Sequence, residues 1–230
     1  MRVSFMQPPL AAREGSTGRH ARSSAFSVHS PCRRVEMERQ MVREATEPYR
    51  YLTAEEYFAW SDGSDTRYEL VEGLLYAQAA TSKAHGALVL ELGGWLRAAA
   101  RAAGCRTYTG VGVQVSHSTV YIPDIVVACG PDDDTASSIT NPTVIAEVLS
   151  PTTERIDRVE KLAAYRRLDS LLAYLIVHQD ARRIERHWRD EPDSPWHSLI
   201  YTGGSVPLPL DGVELALDAL YAGIVPASAE

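Results

Sequence analysis

The sequence predicts an α/β domain built on a mixed central β-sheet flanked by helices. Three observations carry this. Apolar residues recur at helical spacing from Ser82 to Ala103, the period changes to two from Cys105 onward, and residues 143–149 are apolar on both faces, as a covered central strand requires. The order helix, strands, long helix, strands, helix, strands, with no internal repeat, fits one domain of this class. With 230 residues and 45% hydrophobic content, the chain can bury a substantial core.

Residues 1–48 are rich in Ser, Arg, Pro and Gly, show no sustained period, and carry Met37 and Met41 near their end. We expect a disordered basic tail there. A start assigned too far upstream is the favoured reading, with a nucleic-acid-touching arm or a transit peptide as the others. The folded domain is expected over 49–225, leaving 226–230 as a second short tail. Thr53-Ala-Glu-Glu56 is a capping box opening a short helix through Trp60. Tyr68 to Ala77 reads as two short strands around Gly73, a hairpin or a bulged strand. Ser82 can cap the long helix, with Leu88, Leu92, Trp95 and Leu96 on its apolar stripe and Gly104 at its stop. Strands follow at 106–115 (one or two), 120–129 and 143–149, with a turn-rich acidic loop over 130–134. A helix over 157–168 leads to strands at 172–178, 182–189 and 196–201, and 215–221 suggests a short closing helix.

Composition excludes several functions. The formal charge is −7, yet residues 1–40 carry seven arginines and three glutamates, while the remainder carries 16 basic and 27 acidic residues. Such an acidic body does not coat nucleic acid, whose nonspecific affinity comes from phosphate neutralisation, so any DNA contact must be local or metal-assisted. No apolar run is long enough to span a membrane and no secretory signal opens the chain, so a cytoplasmic protein is expected. Cys32, Cys105 and Cys129 lack metal-site spacing and are expected as free thiols. The histidines form no HxxxH or HxE spacing, and GxSxG, P-loop and dinucleotide motifs are missing.

Two carboxylates lie where a bland core strand would not put them. In Val120-Tyr-Ile-Pro-Asp124-Ile-Val-Val127, Pro123 removes a ladder hydrogen bond and implies a bend, bulge or edge beside Asp124. In Thr143-Val-Ile-Ala-Glu147-Val-Leu-Ser150, Glu147 shares a face with Ile145 and Leu149. A buried carboxylate costs several kcal/mol unless it is paired, hydrogen-bonded or bound to a cation. Either residue alone reads as a loop cap or an arginine partner. Together they suggest a shared hard cation, Mg²⁺ with Mn²⁺ substituting, of the kind suited to phosphate-ester cleavage.

Ile-Pro-Asp124, Glu147-Val-Leu-Ser150-Pro-Thr-Thr and Asp157-Arg-Val-Glu-Lys161-Leu-Ala-Ala-Tyr165, with Arg67-Tyr-Glu69-Leu-Val-Glu-Gly73 and His85-Gly, resemble the Uma-two family of the PD-(D/E)xK nuclease superfamily. The resemblance covers about residues 49–223. It implies a restriction-endonuclease-like sheet, a Mg²⁺-dependent DNA endonuclease, and Asp124 and Glu147 as metal ligands. The superfamily places lysine two residues after the acid, and here that residue is Leu149. The chain has only two lysines, Lys83 and Lys161. Lys161 is the expected substitute, reaching Glu147 from the following helix, although a simple i, i+4 pair with Asp157 would also explain it. Lys83, in the first turn of the long helix, reads as a solvated surface residue.

The additional acid that such nucleases place upstream is assigned to Glu69, with Glu72 as second choice. His85 could position water or phosphate, and Arg155 and Arg158 could hold phosphates beside the site. The rival to an active endonuclease is a catalytically silent nuclease-fold protein that binds nucleic acid or protein. A homodimer is compatible with either.

Overall fold

The computed structural model describes residues 51–131, 133, 135–150, 154–210 and 212–224. The tails expected at 1–48 and 226–230, Cys32, two aspartates of the acidic loop (Asp132 and Asp134) and the motif residues 151–153 lie outside the described residues.

The capping box forms as read. The Thr53 hydroxyl accepts from the Glu56 amide while the Glu56 carboxylate accepts from the Thr53 amide, opening α1 (Ala54–Ala59). Strands β1 (Tyr68–Val71) and β2 (Leu74–Ala77) form a hairpin whose turn holds Glu72 at φ +50° and Gly73 at φ +84°. Both turn residues in the left-handed region match the right-handed twist of the strands. Ser82 caps α2 (Lys83–Ala102) by accepting from the His85 amide. The buried stripe Leu88, Leu92, Leu96 and Ala100 packs on a sheet face formed by Ile125, Val127, Val144, Ala146 and Val148. Each fully buried leucine contributes on the order of 2 kcal/mol.

The sheet under α2 has six strands in the order β11-β10-β9-β8-β6-β3. They are β3 (Cys105–Tyr108), β6 (Ile125–Cys129), β8 (Pro142–Leu149), β9 (Ala173–His178), β10 (Ile184–Trp188) and β11 (His197–Tyr201). Only β8 and β9 run parallel, so the sheet is mixed, and β8 is buried on both faces as its composition requires. A second sheet, β2-β1-β5-β4-β7, adds β4 (Gly112–Ser116), β5 (Thr119–Tyr121) and the short β7 (Ser138–Ile139). A ribbon of β12 (Ser205–Pro207) and β13 (Glu214–Ala216) precedes α4 (Leu217–Leu220), so the closing helix is shorter than expected. No described helix is long and apolar enough to cross a membrane.

Three expectations are corrected. The strand expected over 120–129 is broken: β5 ends at Tyr121 in the second sheet and β6 begins at Ile125 in the first, so Asp124 lies in the connection rather than on a strand face. Pro123, which cannot donate to a ladder, sits at the break. The helix expected over 157–168 is instead a π-helical segment, Ile156–Lys161, continuing into α3 (Leu162–Tyr165). Finally, Cys105 and Cys129 are not free thiols. They face each other as the first pair of the β3–β6 register, with Cα atoms 4.3 Å apart, and form a disulfide. Their separation of 24 residues hides a contact that only strand register creates.

Candidate active site

Asp124, in the β5–β6 connection, and Glu147, on β8, interlock through the backbone. The register pairs Ile125 with Ala146, so Asp124 and Glu147 flank one rung of the β6–β8 ladder. The Asp124 amide donates to Glu147 Oε2 at 3.2 Å, and the Val148 amide donates to Asp124 Oδ2 at 2.8 Å. The first turn of α2 brings His85 Nε2 to 3.2 Å from the same Asp124 oxygen. Asp124 Oδ1 has no hydrogen-bond partner among the described residues, and its side chain is 23% exposed.

Glu147 is turned toward the π-helix. Its Oε1 accepts from Lys161 Nζ at 2.8 Å and from the Tyr165 hydroxyl at 3.3 Å. The same ammonium lies 3.0 Å from Glu69 Oε1 and 3.4 Å from Asp157 Oδ1, with the Tyr121 ring centroid 5.4 Å away. Glu69 reaches the site from β1 and is held there by the Ile122 amide, which donates to its Oε1 at 3.0 Å. The Tyr174 hydroxyl donates to the Asp157 carbonyl at 3.2 Å and fixes the helix on the sheet. Four carboxylates therefore surround one ammonium and one imidazole in a largely dry space, where Coulombic interactions are much stronger than in water.

Burial pushes the Glu147 carboxyl well above its ordinary range. Asp157, Asp124 and Glu69 push it further, and Lys161 opposes them. Burial would lower Lys161, but Glu147, Glu69 and Asp157 outweigh it and hold the ammonium protonated, well above the usual lysine value. Burial, followed by the nearby carboxylates, also raises Tyr165 and Tyr174, so both hydroxyls remain donors. The arrangement can present a fixed, always-charged donor beside three carboxylates, as stabilising a phosphate would require.

The structure brings Asp124, Glu147, Lys161, Glu69 and His85 together. It does not bring Glu72, which is exposed in the hairpin turn with its amide on Thr119 Oγ1. Lys83 is exposed at the start of α2. Arg155 pairs with Glu160 at 3.0 Å on the surface. Arg158 pairs with Glu154 and Glu185 and lies 3.1 Å from His178, forming a separate charge cluster. Sequence reasoning missed Asp157, Tyr165 and Tyr174 as members of the site. The available signal was the spacing of Asp157, Lys161 and Tyr165, four residues apart, which puts all three on one helix face.

Among the described residues, no group of three or more His, Cys, Asp or Glu is arranged to hold a metal ion. The pair Asp124 and Glu147 fits a hard cation in donor chemistry: both are all-oxygen ligands, and Asp124 keeps an oxygen uncommitted among the described residues. Such an ion would take its remaining positions from water or substrate oxygen.

The model of a family described as "Putative restriction endonuclease" (Uma2) matches residues 54–219, and the chain belongs to this family. Two relatives are both from Synechocystis sp. (strain ATCC 27184 / PCC 6803 / Kazusa). "Uncharacterized protein slr1290" is 29% identical over 189 residues, covering 77% of this chain and 95% of that protein. "Uncharacterized protein sll1609" is 30% identical over 153 residues, covering 63% and 84%. Among solved structures, "a putative nuclease belonging to DUF820 from Anabaena variabilis ATCC 29413" superposes with a TM-score of 0.63 at 15% identity, covering 76% of this chain and 99% of that one. At that identity, the likeness is one of fold.

Proposed function

We propose that this member of the Uma2 family is a metal-dependent DNA endonuclease, hydrolysing phosphodiester bonds with Mg²⁺, or Mn²⁺ in its place, at Asp124 and Glu147. The observation that carries the reading is the Lys161 ammonium 2.8 Å from Glu147 Oε1, which supplies the charge that Leu149 cannot. When bound, the ion supplies Lewis acidity that activates water and neutralises phosphate charge. The chain's own residues do the rest. Lys161 offers a fixed cation to charge developing on phosphate oxygen. Glu69 and Asp157 hold its Nζ in place, His85 fixes the rotamer of Asp124 through Oδ2, and Tyr165 fixes Glu147. The net charge of −7 keeps DNA contacts local.

The test is cleavage of supercoiled plasmid by purified protein in Mg²⁺, in Mn²⁺ and with chelator, using Asp124→Asn and Glu147→Gln as controls. Nicking by wild type that chelator and both substitutions abolish supports the proposal; nicking that survives Glu147→Gln overturns it. A silent nuclease-fold binding protein is the second reading. It is favoured by Lys161 being committed to three carboxylates and by the lack of a three-ligand metal group among the described residues. That reading predicts nucleic-acid or protein binding with no cleavage under any of these conditions.

A further inference from the structure

Beside the site lies an open pocket of about 260 Å³, lined chiefly by Tyr57, Phe58, Trp60, Arg67, Tyr68 and Ile122. We infer that it receives one unstacked nucleobase of the strand whose phosphate lies at Asp124, a binding subsite that rests on the nuclease reading and extends it to how substrate is held.

The polar ends of the pocket's tyrosines are already satisfied. The Tyr57 hydroxyl donates to the Tyr68 carbonyl at 2.6 Å, and the Tyr68 hydroxyl donates to Asp62 Oδ2 at 2.8 Å. Trp60 and Tyr68 meet edge to face, with centroids 5.1 Å apart and planes at 89°, so each fixes the other's ring. The pocket therefore offers aromatic ring surface at fixed orientation, which suits stacking and gives no strong selection among bases.

Arg67 adds the charge. It is exposed and makes no side-chain hydrogen bond or ion pair among the described residues, in a chain of net charge −7 where Arg155 and Arg158 are paired with acids. Its guanidinium lies across Gly110, where a Cβ would stand 3.1 Å from Nη1, so the glycine leaves room for the arm. A guanidinium beside aromatic faces can take a phosphate oxygen or stack on a base.

Position ties the pocket to the chemistry. Ile122 forms one wall and precedes Asp124 by two residues, so their Cα atoms are at most about 7 Å apart. A base seated against Ile122 keeps an adjacent phosphate within reach of Asp124. The volume falls below the roughly 300–1,000 Å³ of pockets for drug-sized ligands, which suits a single ring system and not a whole nucleotide.

The experiment measures binding of a fluorescein-labelled 12-residue oligodeoxythymidylate and of the same backbone made of abasic residues, at low ionic strength with chelator. Wild type, Trp60→Leu and Arg67→Gln are compared, with plasmid cleavage in Mn²⁺ assayed in parallel. We expect wild type to prefer the base-bearing strand by about fivefold or more, and Trp60→Leu to remove that preference. Arg67→Gln, at an exposed position that tolerates substitution, should weaken the base-bearing strand by a similar factor and carries the test if Trp60→Leu fails to fold. Equal affinity for both strands, no binding of either, or variants that bind like wild type would overturn the inference. So would loss of self-association in Trp60→Leu with oligonucleotide binding unchanged, which assigns the pocket to a second copy of the chain. Base-dependent binding without cleavage leaves the subsite standing and removes the nuclease reading; cleavage without base dependence does the reverse.

Discussion

Exchanging Lys161 for methionine would test the ammonium at the centre of the site, because it keeps most of the apolar stem and removes only the charge. The side chain is 7% exposed and its Nζ meets three carboxylates between 2.8 and 3.4 Å. Removing one partner of such a buried pair leaves uncompensated charge and costs about 3–5 kcal/mol. A domain of this size loses about 2–4 °C per kcal/mol, so Tm at pH 8 should fall by roughly 6–20 °C. The pH dependence separates this from simple loss of packing. In wild type, the lysine's contribution is fully present below its unfolded value, about 10.4, and is lost only as pH rises through its still higher folded value. The ammonium is therefore constant from pH 5 to 9. In the variant, Glu147 loses the charge that opposed burial, so its carboxyl, already raised, rises further. A carboxyl raised by folding holds extra protons in the folded state, and stability falls as pH climbs from the unfolded value, about 4.3, through the folded one. The gap between variant and wild type should be small near pH 4.5 and widest at pH 8, as followed by thermal melts without metal. A fall below about 3 °C at pH 8, or a gap independent of pH, would show that these carboxylates do not hold the ammonium.

Asp124→Asn should keep the fold, since an amide oxygen can still accept from the Val148 amide, and should abolish Mn²⁺ binding measured by titration calorimetry. Unchanged Mn²⁺ affinity together with lost stability would make Asp124 structural. In a cleavage assay held well below the variant's melting point, Lys161→Met should reduce nicking on the order of 10²-fold or more, while Lys83→Ala, on the exposed start of α2, stays near wild type. Equal rates for Lys161→Met and wild type would remove this lysine from the chemistry. Thiol titration of denatured, unreduced protein should find one thiol per chain, that of Cys32, and three after reduction. Three before reduction would disprove the Cys105–Cys129 bond.

The parts of the molecule legible in the sequence are those governed by local rules. The Thr53–Glu56 box and the Ser82 cap open the helices they announce, and the doubly apolar run ending at Leu149 is the buried β8. Counting lysines pointed to Lys161 because only two exist. What could not be read depends on register between distant segments. Cys105 meets Cys129 only through the β3–β6 pairing, and Glu69 meets Lys161 only because a hairpin of the second sheet is tied at Ile122. Pro123 announced a break near Asp124, but not that the chain would change sheets there. Asp157 reads in sequence as no more than an i, i+4 partner of Lys161, since such a pair is the same whether it faces solvent or core.

Placing the ammonium on the helix has a structural consequence. Leu149, two residues after Glu147, packs with Tyr165, Tyr174 and Ile176 in the core beneath the π-helix. An ammonium there would have to be buried in that cluster or displace it. Lys161 instead descends from the helix that caps the cluster, and Asp157, Lys161 and Tyr165 form the polar face by which that helix docks on β8 and β9. Charge placement and helix docking thus depend on the same contacts. On the proposed nuclease reading, a perturbation that loosens the helix, such as Tyr174→Phe with the loss of its bond to the Asp157 carbonyl, should therefore lower plasmid nicking through Lys161 without touching Asp124 or Glu147.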